Sequence, residues 1–576
     1  MKHKILLTSL LLASGLTLAA PLNRYVPETA LAEFEMNGLR QIKPQINTLI
    51  DLESTLLDAG LQYDEASLVQ NLLWGGLGLE ANLSVHTVRN DVEVLAVTRV
   101  DKGSQRLVQK FLADASKGGK KPVKLREGRF VFFQQDDFYF GFQDGLAYAS
   151  SHPQVLREFF KRLQNSKLPG LSSQQSFQST MSEDGGNFKA FVNMKLLMSL
   201  VLKEVPKSDL DTLPQVINTL KSLQGVSMSA KFTKSGMEGS SIISFQNLSP
   251  ELQGLLSYAK TDFNANHLIT KDVQGYAVSA VNAQGWLDYL VGLVPELEAE
   301  LPESFDRFKA QLGNEIVAIY PAPVAGKTLS TLSGANVLFG LEVADPVAAQ
   351  AMLDELVQAL EDAQSKPGAD VEPAVDDGMT EEEMDAPEPE LSDEEMLDQP
   401  VDPDPMMAGA PDKPEFQVQK LDGGVTCLDF SQGSDTATMG ELAALQGMLG
   451  DSMKVCFKIH QNFLMIGLGA DALNDLPTAE QALSPSRQQT LFGNRALTGF
   501  QWVGGDYYKN YASQLRLGGV MLGSFAKDSA EKEIMGFATS LVSGLANLAD
   551  RIEESVSVSY FDKNRVISKS TTKIKW

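Results

Sequence analysis

Val92-Glu-Val-Leu-Ala-Val-Thr-Arg-Val-Asp101 and Val337-Leu-Phe-Gly-Leu-Glu-Val-Ala-Asp345 share one plan. Each is a strand-like apolar run closed by an aspartate. Each leads into a helical pattern, through Leu107, Phe111 and Leu112 in the first and through Met352, Leu356 and Leu360 in the second. An aspartate in that place can accept the free amides of a helix's first turn. In the second stretch Pro346 follows at the first helical position, where its missing N–H costs nothing. A strand-then-helix unit that recurs in this way marks an internal duplication.

Working outward, the neighbours recur in the same order. The strand 31–36 and helix 39–57 are answered by 275–281 and 286–294. Val123-Lys-Leu-Arg-Glu-Gly128 is answered by Val418-Gln-Lys-Leu-Asp-Gly423, each running into a glycine turn. The passage 139–149 into the helix 154–163 is answered by 463–469 into 471–476. The strand 188–193 is answered by 497–503, again with a helix behind it. Both copies close on two alternating runs, 225–232 with 239–245 and 556–561 with 565–574. Period-2 alternation there predicts half-buried antiparallel strands. The expected fold class is α+β, with two homologous lobes at 24–248 and 265–576. Each lobe is expected to be an antiparallel sheet with packed helices, the second carrying a disordered acidic insert at 367–413.

This order of elements resembles a bacterial exported and envelope protein family of unknown function with tandem α+β repeats. The resemblance rests on the strands that end in Asp101 and Asp345, on Leu312-Gly-Asn-Glu-Ile-Val-Ala-Ile-Tyr320, and on the strand-into-helix passage from Tyr139 to Leu156. It implies a fold and no reaction.

The 576 residues carry 49 Lys plus Arg against 74 Asp plus Glu, a formal charge of −25. Nucleic-acid binding is not expected, because it needs a dense basic surface. Two cysteines and five histidines leave little for a zinc cluster. Lys2, His3 and Lys4 precede an apolar run at 5–12 and a small-residue stretch at 13–20. That is the pattern of a secretory signal, with cleavage expected after Ala19 and a signal peptide at 1–19. The apolar run is much shorter than the roughly 20 residues a spanning helix needs, and no transmembrane segment is expected in the mature chain. The expected location is periplasm, cell surface or medium.

Residues 367–413 are a different material, with 17 acidic residues and one lysine. Such composition cannot offset its ordering entropy, and a solvated spacer is the plain expectation. The sharper one is weak binding of divalent cations or of a basic partner, with Met379, Met384, Met396, Met406 and Met407 as apolar anchors. The ordering of an EF-hand calcium loop is missing.

No catalytic constellation stands out, and no cofactor is expected. Pro321-Ala-Pro-Val-Ala-Gly-Lys-Thr328 ends like a phosphate loop, but Pro321 stands in place of the first glycine and Pro323 removes a backbone donor. Ser524-Phe-Ala-Lys527 and Ser529-Ala-Glu-Lys532 match a serine-enzyme spacing without its companion motifs. His86 and His152 are expected at the surface or as a cap, with no ligand neighbours at metal spacing. A glycosidase-type carboxylate pair is neither excluded nor identifiable in so acidic a chain. Cys427 and Cys456 lie in strand-like runs that the duplication places side by side, so a disulfide is the expectation for an exported chain, against two buried thiols.

Phe130-Val-Phe-Phe133 and Phe138-Tyr-Phe-Gly-Phe142 have two apolar faces. That predicts either a sheet covered on both sides or an apolar-ligand surface formed by Phe130, Phe132, Phe138, Phe140 and Phe142. Leu72-Leu-Trp-Gly-Gly-Leu-Gly-Leu79 reads as a buried turn or a flap over such a surface. The sequence therefore points to an exported protein without enzymatic activity that has a structural or protein-interaction role and an envelope protein as partner. A carrier for lipid or another apolar ligand is the alternative.

Overall fold

The computed structural model describes residues 21–49, 54–55, 57, 63, 80–89, 91–100, 106, 122–135, 138–181, 186–206, 214–269, 273–293, 304–321, 337–365, 417–429, 454–468, 470–474, 476, 495–524, 539 and 542–576. The signal peptide, the acidic insert, the stretch 72–79, the phosphate-loop-like residues 322–328 and the serine–lysine spacings beyond Ser524 lie outside these residues.

Alternation and tight turns set the strands. Those of the first half are β1 Ala30–Asn37, β2 Glu80–Val88, β3 Asp91–Arg99, β4 Val123–Glu127, β5 Phe130–Gln135, β6 Phe138–Gln143, β7 Leu146–Ser150, β8 Phe188–Val192, β9 Leu223–Thr233 and β10 Gly236–Phe245. Those of the second are β11 Gly275–Ala280, β12 Leu312–Tyr320, β13 Leu338–Val343, β14 Gln417–Leu421, β15 Val425–Asp429, β16 Lys454–His460, β17 Phe463–Leu468, β18 Gly499–Gly504, β19 Ile552–Asp562 and β20 Arg565–Ile574. Between β6 and β7 the turn residues Asp144 and Gly145 both have positive φ, 55° and 74°. That geometry suits the strand twist of a two-residue hairpin.

Hydrogen bonding orders the first ten strands β4-β5-β6-β7-β3-β2-β1-β8-β9-β10. The second ten run β14-β15-β16-β17-β13-β12-β11-β18-β19-β20, the same order strand for strand. Every pair is antiparallel. The expectation of one sheet per half needs a correction: β10 and β20 pair with each other, and all twenty strands form one sheet. Each of these strands ends its own set of ten, so pairing them satisfies two rows of backbone groups that would otherwise be edges. The register is symmetric, since Ser240, fifth in β10, faces Lys569, fifth in β20. Sheet position also shows that β17 answers β7. Of the passage 139–149, residues 463–469 therefore answer only the β7 part, and the strand answering the aromatic β6 is β16.

Two helix starts bear on the motifs above. Asp345 Oδ1 accepts from the amides of Val347 and Ala348 at 2.9 and 3.2 Å, capping the helix Pro346–Ser365. His152 caps the helix Pro153–Gln164, its Nδ1 accepting from the Gln154 amide at 3.2 Å. Val155, Leu156, Phe159 and Phe160 form the buried stripe of that helix. They pack on Leu95, Val97, Phe130, Phe132 and Tyr148. On the same side of the sheet in the second half, Tyr276, Val278, Val317, Ile319, Phe463 and Phe500 make the largest buried cluster. This side is called the first face. The opposite, second face carries Phe34, Met228, Ile316 and Phe339.

Candidate functional site

The five phenylalanines expected to form one apolar-ligand surface are divided between the two faces. Phe130 and Phe132 point to the first face and are buried under the helix Pro153–Gln164, with the Phe130 and Phe160 rings stacked 4.5 Å apart. Phe140 is buried on the second face beside Ala96, Ala147 and Ala149, with Phe138 and Phe142 half-buried around it. Phe130 and Phe132 are therefore core residues with no surface to offer a ligand.

An apolar groove does exist, nearer the middle of the sheet. It lies on β1, β8, β9, β10 and β20 and has a volume of about 340 Å³. Phe34 and Phe188 wall one side, their rings 6.2 Å apart. The aromatic line continues through Phe232 to Trp576. Met228 and Met237 line it as well, with Ser241, Ser568 and Ser570 among the strand residues beneath. Gly239 keeps the groove open: a Cβ there would come within 2.5 Å of the Ser570 hydroxyl.

Cross-strand register extends this surface. Phe34, Ala190, Met228, Ser241, Ser568, Ser559, Gly499, Ser279 and Ile316 face one another in a single row across nine strands. The row contains no charged side chain, although 21% of the chain is Asp, Glu, Lys or Arg. Met228 and Phe339 stand 63% and 54% exposed. The row is apolar at its two ends, Phe34 to Met228 and Ile316, and serine and glycine between them, so it is uncharged throughout without being one continuous apolar patch.

The first face carries a second feature that sequence patterning did not reveal. Counting back from the last residues of β1 and β11, Asn37 and Ala280, the second half places Val278 and Tyr276 inward. The first half places Glu35 and Glu33 at the same positions. Their cross-strand neighbours differ in the same sense. Val317, Ile319 and Phe500 in the second half are answered by Asn82, Ser84 and Lys189 in the first. Glu33, Glu35, Asn82 and Ser84 are all buried. Asn82 and Asn37 donate to Glu33 and Glu35 respectively, and Asn23 donates to Glu35 at 3.2 Å. Glu33 Oε2, Asn82 Oδ1 and Asn23 Oδ1 are buried without a hydrogen-bond partner among the described residues. Burial, then repulsion from Glu35, pushes the Glu33 carboxyl up to about 8. His86 is also corrected from a surface position. It is 1% exposed, its Nε2 lies 2.9 Å from Ser84 Oγ, and burial lowers it to about 4.

One anchoring device is common to both halves. Glu80 accepts from the amide of Leu22 in the short 3₁₀ turn before β1, and from Arg99 Nε at 2.8 Å. Glu315 stands at the matching sheet position. It accepts from the amides of Asn264 and Ala265, each at 2.8 Å, in the 3₁₀ turn before β11, and pairs with Lys260.

Cys427 and Cys456 face each other across β15 and β16, fully buried, with Cα atoms 4.0 Å apart, and are joined by a disulfide. Denatured, unreduced protein is expected to titrate no free thiol, and two after reduction. Two thiols before reduction would contradict the bridge. Among the described residues no group of three or more His, Cys, Asp or Glu is placed to hold a metal, and no helix is long and apolar enough to cross a membrane.

No family model matches the sequence, and no curated protein matches it. Among solved structures, crystal form III of TP0453 aligns with a TM-score of 0.26 and 7% identity, over 43% of this chain and 90% of that one. Crystal form I of TP0453 aligns with a TM-score of 0.25 and 9% identity, over 43% and 89%. Similarity at this level carries no functional argument.

Proposed function

We propose that this chain is an exported envelope protein, built by duplication of a ten-strand unit, that acts by holding a partner against the middle of its second sheet face. It carries out no reaction of its own. The observation that supports this most is the charge-free row from Phe34 to Ile316 in a chain of charge −25. The groove adds little chemistry: its lining has serines and Lys189 but no His, Asp or Glu, and Lys189 stands opposite Glu35, which the first face buries. The identical strand order of the two halves favours duplication, and the signal-like first twenty residues favour export.

The test is a native mass spectrum of the mature protein, isolated gently from its own envelope, beside the same protein carrying Met228→Glu. A protein partner that accompanies the wild type and is lost from the variant is the expected result. Bare monomer in both samples would refute the proposal. A groove of about 340 Å³ is also at the small end of ligand pockets, which favours the carrier as a second reading. An added mass of lipid size, lost in the variant, would put that reading first.

A further inference from the structure

The sheet has two free edges among the described residues, β4 and β14. At one edge, β4 pairs only with β5. Its Lys124 and Arg126 are exposed, and both lie on the second face, opposite Phe133 and Val131. Lys124 makes no ion pair among the described residues. Phe133, Phe138 and Phe142 stand half-buried on the same face. This edge is therefore basic and aromatic, on a chain that is strongly acidic overall.

The other edge is β14, which pairs only with β15. It begins at Gln417, directly after the 51 residues 366–416 that the structure does not describe. They leave from the end of the helix Pro346–Ser365, which reaches the second face at this edge, where Glu361 lies 3.6 Å from Lys420. That stretch contains the 17 acidic residues and the five methionines of the insert. Acidic groups suit Lys124 and Arg126, and methionine sulfur makes favourable contacts with aromatic rings.

We infer that the acidic, methionine-bearing segment of one copy docks on the basic aromatic edge of a second copy, at Lys124, Arg126 and Phe133. The contact is between copies because of where the two parts sit. Nineteen strand steps of about 4.8 Å separate β4 from β14, roughly 90 Å along the sheet. The segment must leave and return at the β14 end, so its middle could approach its own β4 only at almost full extension, about 84–92 Å, whereas the edge of a second copy is reached without stretching the chain. Such an interface is head-to-tail and can repeat. It is independent of the partner held by the middle of the face.

Sedimentation of the full mature chain at low and high salt tests this. Wild type is expected to self-associate at low salt and to weaken about tenfold or more when salt screens the charges. Deletion of residues 367–413, or Lys124→Glu with Arg126→Glu, is expected to give monomer, with circular dichroism confirming that each variant folds. Mixing the two variants is decisive. The deletion keeps the basic edge and the double substitution keeps the segment, so a one-to-one complex should form and go no further. Monomeric wild type at low salt, association that survives either variant, or a mixture that stays monomeric would overturn the inference.

Discussion

Glu315→Ala is expected to destabilise the protein by about 3–5 kcal/mol, measured as a shift in the denaturant midpoint. The side chain is completely buried, and its two oxygens accept from the amides of Asn264 and Ala265 and from Lys260. Truncation leaves two N–H donors without an acceptor and unpairs the Lys260 ammonium, which at 23% exposure can turn to water. Each neutral donor stranded in this way costs about 1–3 kcal/mol. The turn it anchors supplies Ala265 and Leu268 to the largest core cluster, so the loss would spread into packing. Glu315→Gln is the informative companion. It retains one acceptor but replaces the other with an NH₂ group facing a donor, and should recover only part of the loss. A Glu315→Ala variant as stable as wild type would show that the turn does not depend on this carboxylate.

Strands and helix starts were legible because their signals are local. Asp345 caps a helix and His152 caps another in the places their sequences suggest, and alternation outlines β9, β10, β19 and β20. The join between the halves was not legible. Pairing of β10 with β20 links residues more than three hundred positions apart, and no short-range pattern encodes such a pairing. Ala32-Glu-Phe-Glu-Met36 misleads for a different reason. Hydropathy alone would turn Phe34 inward, yet the structure buries both glutamates and leaves Phe34 36% exposed. Tertiary context overrides the pattern, with Asn23, Asn37 and Asn82 supplying the hydrogen bonds that make the burial tolerable. Phe130 and Phe132 show the limit of composition: two apolar strand faces were evident, but nothing local indicated that they serve different clusters.

Substitution of Glu33, another of the buried glutamates, should have the opposite effect to that of Glu315, and Glu33→Gln is expected to stabilise the protein at alkaline pH. The groups that set the Glu33 carboxyl are Glu35 on its own strand, Glu80 on β2, and Lys189 on β8, with Asn82 as hydrogen-bond donor. Burial and the two carboxylates outweigh Lys189 and Asn82 and raise it to about 8. In the unfolded chain the same group titrates near 4.5. Between these values the folded state holds a proton that the unfolded state has released. Stability must therefore fall as pH rises through this window, by at most about 1.4 kcal/mol per pH unit, and level off above it. The accumulated loss by pH 8 is on the order of a few kcal/mol. Gln cannot ionise, so Glu33→Gln should remove this slope while still accepting from Asn82. His86 acts at the other end of the scale. Its folded value near 4 lies below the ordinary 6.5, so its contribution is lost as pH falls from 6.5 towards 4. Denaturant unfolding at pH 5, 7 and 8.5 separates the two groups. Wild type and Glu33→Gln should differ least at pH 5 and most at pH 8.5. Curves that run parallel across that range would mean that Glu33 is ionised in the folded protein, with a counter-charge close enough to hold it.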